Sequence, residues 1–269
     1  MGERRLEGLV LKVGPLGDHD RLLTLLSDDE GITRLAVPGA RRPKSSLAAA
    51  APLTLLELQV GGRSGLARVR QLRIQRSFSR LGLRLETLAA SQGLSDLCLR
   101  LTADNDPIPG LFSTVILHLE RLESSELSRD EVLASTVQAC VHLLTLGGYS
   151  LPLQSCCLSG MPLEPPIGQW DWRCSLLAED GFAIDRQPGS AISLNPSELA
   201  LLQRLCRPDL PRRRDGELMG PQIVWLKLLS VVEIWIRTHL PRSSKALAML
   251  RESIIAAQVS QHGRDAESS

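Results

Sequence analysis

Aromatic side chains are almost missing from the first hundred residues of this 269-residue chain: Phe78 is the only one before Phe112, and Phe, Trp and Tyr make up 3% of the whole. Proteins that hold single-stranded nucleic acid commonly stack bases on aromatic rings, so a grip by the N-terminal part would have to lean on the phosphate backbone instead. Long apolar runs are lacking too. No stretch reaches the ~18 residues that a membrane span needs. The opening MGERRLEGLV has no signal-peptide core and does not fit the myristoylation pattern, which together predict a cytoplasmic protein. The six cysteines (Cys98, Cys140, Cys156, Cys157, Cys174 and Cys206) are thinly spread, and without an export signal reduced thiols are expected. HExxH, a Walker-type lysine loop and GxSxG are all absent. Asp18-His19-Asp20 holds catalytic residue types, but neighbours in a strand or turn point different ways, so His19 reads as a surface turn residue. The prediction is a protein that is not an enzyme.

Charge is present, and unevenly placed. The net value of +1 averages an N-terminal excess against a C-terminal deficit: residues 1–80 hold 14 Lys/Arg and 8 Asp/Glu, and the remainder 17 and 22. Between 34 and 80, Arg34, Arg41, Arg42, Lys44, Arg63, Arg68, Arg70, Arg73, Arg76 and Arg80 stand against Glu57 alone. Surfaces shaped only for solubility mix their signs; a one-sided excess of this size is an electrostatic footprint for phosphate.

The same region reads as β-structure. Five short runs, Leu6–Val13, Arg21–Leu26, Ile32–Val37, Leu53–Val60 and Leu66–Gln75, are separated by turn signals such as Asp28-Asp29-Glu30-Gly31, Pro38-Gly39 and Gly61-Gly62. Five strands in under 80 residues suggest a small closed barrel, and the OB-fold is the commonest such barrel that binds nucleic acid. In the fifth strand Arg68 and Arg70 alternate with Ala67 and Val69, so the arginines can share a face. Pro43 excludes a helix through the polar arm 40–46, whose Arg41, Arg42 and Lys44 can wrap a phosphate backbone. Arg34, Arg41, Arg42, Lys44, Arg68, Arg70 and Arg73 are the candidate nucleic-acid contacts, with binding that should be steeply salt-dependent and largely indifferent to sequence.

From about residue 79 the apolar period becomes helical. Helices are expected at 111–122, at 130–146 (opened by a Ser128/Glu131 capping box), from Asn195-Pro196 to Cys206, at 222–240 and at 244–258. Residues 149–190 read as irregular, and 260–269 as a polar, disordered tail. The expected fold class is α+β: an N-terminal five-stranded OB-fold barrel over 1–78, then a helical domain over 79–259 carrying an irregular cysteine-containing insertion.

Cys156-Cys157-Leu158-Ser159-Gly160 with Cys174 has the look of a zinc loop, but tetrahedral zinc wants four Cys or His ligands, usually as two close pairs. Adjacent cysteines serve one ion poorly, and no histidine lies between His142 and His239. Cys156, Cys157 and Cys174 lack a complete ligand set, so no cofactor is expected. At the end of the 222–240 helix, Arg237, His239, Arg242 and Lys245 lie beside apolar surface. Such a site can receive an acidic peptide, and helix-dipole compensation accounts for Arg237 equally well.

In order and spacing, several stretches together resemble the RecO family of bacterial recombination-repair mediators. They are Glu7-Gly8-Leu9-Val10-Leu11, Gly17-Asp18-His19-Asp20-Arg21-Leu22, Gly31, Gly39-Ala40-Arg41-Arg42-Pro43-Lys44-Ser45, Gly65-Leu66-Ala67-Arg68 and the stretch from Gly148-Tyr149 to Leu163. The resemblance implies an OB-fold that binds single- and double-stranded DNA, anneals complementary strands and helps load recombinase onto protein-coated single strands. It also implies RecR and the acidic C-terminal tail of single-stranded DNA-binding protein as partners, with the tail received loosely at Arg242 and Lys245, and a nucleoid-associated location. Many members carry CxxC in the loop and a second cysteine pair; here Ser159 stands at the second position and the later pair is missing. The competing readings are an RNA-binding or ribosome-associated protein built on the same barrel, and an enzyme with a site around Cys156–Cys174.

Overall fold

The structure is a computed structural model that describes residues 3–43, 45–62, 66–241 and 245–267. The chain divides into two compact units, Met1–Glu123 and Ser124–Ser269.

Five strands open the first unit: β1 (Glu3–Leu16), β2 (Asp20–Ser27), β3 (Gly31–Val37), β4 (Thr54–Gly61) and β5 (Ala67–Ser77). They close into a barrel in the order β1-β2-β3-β5-β4. All neighbours are antiparallel except β3 and β5, which pair parallel through Leu35↔Ala67 and Ala36↔Arg68. This is the OB-fold arrangement expected from the sequence. Closure depends on the long first strand, whose Glu3–Leu9 pairs with β4 and whose Leu9–Leu16 pairs with β2. The two ladders meet at Leu9, and a bulge at Leu11 lies just inside the β1–β2 ladder. Leu6, Val10, Leu23, Leu25, Leu35, Val37, Leu56, Leu58, Val60 and Val69 fill the interior. That is the strand alternation, inward apolar and outward polar, drawn into a closed core.

Helices α1 (Leu85–Leu101) and α2 (Leu111–Leu122) complete the first unit. The segment between them is tied to the barrel by an Ile32↔Asp104 bridge and by the Asn105 amide donating to the Ile32 carbonyl at 2.9 Å.

The second unit is built round α3 (Arg129–Leu146), which is buried on nearly every side, and α5 (Gln222–His239). The capping box at α3 forms as the sequence predicts, Ser128 and Glu131 each satisfying the other's backbone amide. An equivalent box, Asn195 with Glu198, opens α4 (Pro196–Arg204). The stretch 149–190, read from sequence as irregular, holds two strands of a small antiparallel sheet: β6 (Cys174–Leu177) pairs with β7 (Gly181–Ile184) and with β8 (Ile192–Leu194). Strands of three and four residues carry too little alternation to register as a pattern. Helix α6 runs Lys245–Glu267, continuing past 258, where the sequence reading ends the helix, into the stretch expected to be a disordered tail.

Candidate nucleic-acid interface

The cations of β5 reach one surface through an irregularity. Ala67 and Val69 face the barrel core, and strict alternation would send residues 71 and 73 inward after them. Register instead passes from Val60↔Val69 to Gln59↔Gln71, so Arg70 is an extra residue on β5. After it Leu72, not Arg73, packs on the core. Arg68, Arg70, Gln71 and Arg73 are all exposed as a result. Without the bulge Arg73 would be driven into an apolar interior, at a cost no unpaired guanidinium could offset.

Arg34 belongs to the same outer surface. On β3 it lies two residues before Ala36, the partner of Arg68, and so shares Arg68's face. Its guanidinium stands 3.5 Å from Asp104, both side chains being more than half exposed; a pair of this kind contributes no more than about 1 kcal/mol and leaves the arginine available. Because β3 and β5 run parallel, the start of β5 lies beside the end of β3, where the basic arm leaves the barrel.

The arm is folded onto the β1–β2 turn. Asp20 Oδ1 accepts the Gly39 amide at 2.8 Å, the His19 carbonyl accepts the Arg41 amide at 2.9 Å, and Arg41 Nη1 donates to the Gly17 carbonyl at 3.1 Å. Arg21 Nη1 donates to the carbonyls of Ala48 and Ala50 at 3.0 and 3.2 Å, fixing the 3-10 turn Ser46–Ala49 that follows. Ala40, Leu47 and Ala50 stop the end of the barrel, while Arg41 and Arg42 remain exposed. Lys44 lies outside the described residues. Asp20 and Arg21 are positioning residues that sequence reasoning did not single out. Both stand in the Gly17–Leu22 stretch, whose Asp18-His19-Asp20 triplet is set aside as non-catalytic.

Two features limit the positive field. Glu57 sits on the outer face of β4 directly across from Arg73 and accepts from Gln75 Nε2 at 3.3 Å. Arg76, counted in the basic run, is spoken for: it pairs with Glu120 of α2 and, at 3.2 Å, with Glu123, which caps that helix, and lies 4.7 Å over the Phe78 ring.

In the second unit, Lys245 lines a cavity of about 630 Å³ between α5 and α6, together with Arg237, Ile234, Leu247 and Ile192; Arg251 shares the cavity and is paired with Glu233. Arg242 lies outside the described residues.

The cysteine loop makes a poor metal site. Cys156 Sγ accepts the amides of Ser159 and Ile184, each at 3.4 Å. Cys157 is exposed, and Cys174 is wholly buried on β6. Burial, with Cys156 and Cys157 adding, pushes the Cys174 thiol up to about 12. Burial opposes ionisation of Cys156 as well, but the Ser159 hydroxyl and the amides of Ile184, Ser159 and Leu158 together outweigh it and bring that thiol down to about 7. Among the described residues no three His, Cys, Asp or Glu side chains group as a metal site, and this donor set does not fit tetrahedral zinc.

Comparison with known proteins bears on the whole chain. Residues 1–78 match the family model for the recombination protein O N terminus, and residues 83–248 that for the recombination protein O C terminus. A DNA repair protein RecO from Parasynechococcus marenigrum is 74% identical over 269 residues, covering all of both chains. More distant relatives of the same name, from Cyanothece and Gloeothece citriformis, are 34% identical (88% of this chain, 77% of the relative) and 31% identical (90% and 94%). The chain belongs to the RecO family of recombinational DNA-repair proteins.

Proposed function

We propose that this protein anneals complementary single strands and assists recombinase loading onto single-stranded DNA coated by its binding protein, holding the sugar-phosphate backbone on the outer face of the barrel and along the arm. The observation that carries this reading is the bulge at Arg70, which turns Arg73 outward to join Arg68 and Arg70 on the side that Arg34 also occupies, next to the root of the arm. Annealing follows from such a surface. Cations reduce the repulsion between two phosphate chains, and with no aromatic residue beside them the bases stay free to pair. The chemistry requires no turnover and, on this reading, no metal.

Two protein partners belong to the proposal. RecR is expected from family membership. The acidic tail of single-stranded DNA-binding protein suits the cavity between α5 and α6, where Lys245 and Arg237 offer charge beside the apolar Ile234, Leu247 and Ile192; carboxylates meet the cations while an apolar side chain fills the cleft.

The test is annealing of complementary strands coated with the single-strand binding protein, run across a salt series. Replacing Arg68, Arg70 and Arg73 together by Ala should lower single-strand affinity by roughly one to two orders of magnitude and make the log–log salt slope shallower by about 2, three phosphate contacts having been removed. Affinity and slope unchanged in that variant would remove the barrel surface from the mechanism.

A further inference from the structure

The second unit carries an arginine-tipped hairpin that the barrel reading leaves unused. Between α4 and α5 the chain contains Arg207 and then Arg212-Arg213-Arg214 in succession. Residues 211–219 fold as a tight hairpin: an Arg212↔Leu218 bridge, the Arg213 amide donating to the Glu217 carbonyl at 2.8 Å, and the Met219 amide donating to Pro211 at 2.9 Å. Gly216, at φ +90, closes the turn, and Asp215 Oδ1 is taken up inside it by the Glu217 amide at 3.0 Å.

Its base is anchored with unusual thoroughness for a surface loop. From α3, the buried Gln138 donates to the carbonyls of Arg207 and Asp209 at 2.9 and 3.0 Å, and His142 bonds those of Leu205 and Arg207. Arg212 binds the hairpin's own Gly216 carbonyl at 2.8 Å and pairs with Glu131. Arg213 and Arg214, at the tip, are exposed and make no ion pair among the described residues. A loop ordered from a buried polar side chain outward, with two adjacent guanidinium groups left at its apex, is a preorganised pair of cationic forks.

We infer that this hairpin is a second phosphate-binding element, contacting the backbone of a nucleic-acid strand through Arg213 and Arg214 while the barrel holds another. The ligand class follows from the side chains at the tip. Residues 212–217 are exposed and include no apolar side chain to anchor a peptide, whereas guanidinium forks match phosphate oxygens directly. The inference rests on the annealing reading in one respect: an annealing protein must engage two strands, and two separate cationic elements on one chain provide for that.

The experiment separates the two readings. Full-length protein is saturated with one immobilised single strand, and capture of a second, non-complementary labelled strand is measured beside affinity for the first. Arg213→Ala/Arg214→Ala should lower second-strand capture at least tenfold, with first-strand affinity held within about twofold and the melting temperature unchanged. Arg213→Lys/Arg214→Lys, which keeps the charge and loses the bidentate fork, should recover part of the capture. Undiminished capture in the charge-reversed Arg213→Glu/Arg214→Glu variant overturns the inference. So does loss of capture in the Lys variant with a lowered melting temperature, which would make the arginines structural. Reduced affinity for an acidic peptide with strand capture intact overturns it as well, in favour of a protein partner. Failure of the barrel reading shows elsewhere, as unchanged first-strand affinity in the Arg68/Arg70/Arg73 variant, and leaves the hairpin's effect readable as the ratio of its variant to the unaltered protein.

Discussion

The barrel and the small sheet β6–β8 are both modest β-structures, yet they are held together in opposite ways. The barrel has a closed ladder and an apolar interior in which Leu23, Leu25, Leu35, Leu56 and Leu58 have no measurable exposure. Its outer face is therefore free to vary, and can carry arginines without touching what makes it fold. The three-stranded sheet has strands of only three or four residues. It depends on individual contacts: Ser175 Oγ to the Asp185 carbonyl at 2.8 Å, the Cys157 amide to Phe182 at 2.8 Å, and Pro152 packed against Gly181. Distributed burial tolerates surface change; a contact-by-contact assembly does not.

The largest expected effect sharpens the first half of that contrast. Leu58→Ala removes a fully buried side chain whose neighbours are fixed by ladder hydrogen bonds on both sides, so the cavity cannot collapse readily. A loss of about 3 kcal/mol is expected, read by urea denaturation. The Arg68, Arg70 and Arg73 alanine changes should by contrast move stability by no more than about 0.5 kcal/mol each, although they remove most of the DNA affinity. Equal destabilisation by both sets would mean that the outer face is part of the folding machinery.

Next in size is a single atom's worth of crowding in the small sheet. Gly181 has φ +118, and a Cβ there would lie 2.5 Å from Pro152 Cγ. Gly181→Ala should cost about 2 kcal/mol. Adding Pro152→Ala takes away the clashing Cγ while keeping Cβ at 3.6 Å, and should return roughly half of the loss, leaving the backbone strain. No recovery in the double variant would show that strain alone is responsible.

How much of this the sequence discloses follows the same division. The five strands, their turns and the helices α2 to α5 are legible because each places enough apolar residues at period 2 or 3.6 to define a face. The Ser128/Glu131 box is legible because two residue types three apart perform one local task. Register is not local. Alternation from Val69 points Arg73 inward, and only the pairing of β5 with β4 displays the slip at Arg70 that turns it out. The Asp20–Gly39 anchor likewise joins residues 19 apart whose types suggest nothing but a turn. Within the candidate site, then, the identity of the cations can be read from composition, while their common direction is a product of folding.

The smallest effect concerns Cys156, and it probes the point-contact assembly without altering its shape. Its thiol, at about 7 in the folded protein against an ordinary value of 9.0, is held as thiolate by hydrogen bonds that exist only when the loop 156–159 and β7 are in place. A depressed folded pKa means that the unfolded chain binds more protons between the two values, so stability rises with pH across that window. The contribution is complete above about 9 and is lost as pH falls through 7. Cys98 and Cys174, raised to about 12 by burial, act in the other direction, and only above 9, where the unfolded chain ionises first. Between pH 7 and 9 Cys156 thus acts alone among these three thiols. Thiolate absorbance near 240 nm should titrate with a midpoint close to 7 in the native protein and disappear in Cys156→Ser, which should also flatten the rise of melting temperature across the window. A midpoint near 9 would show that the Ser159 and Ile184 amides do not hold this sulfur in solution, and that the small sheet is tied down by Pro152 and Ser175 instead.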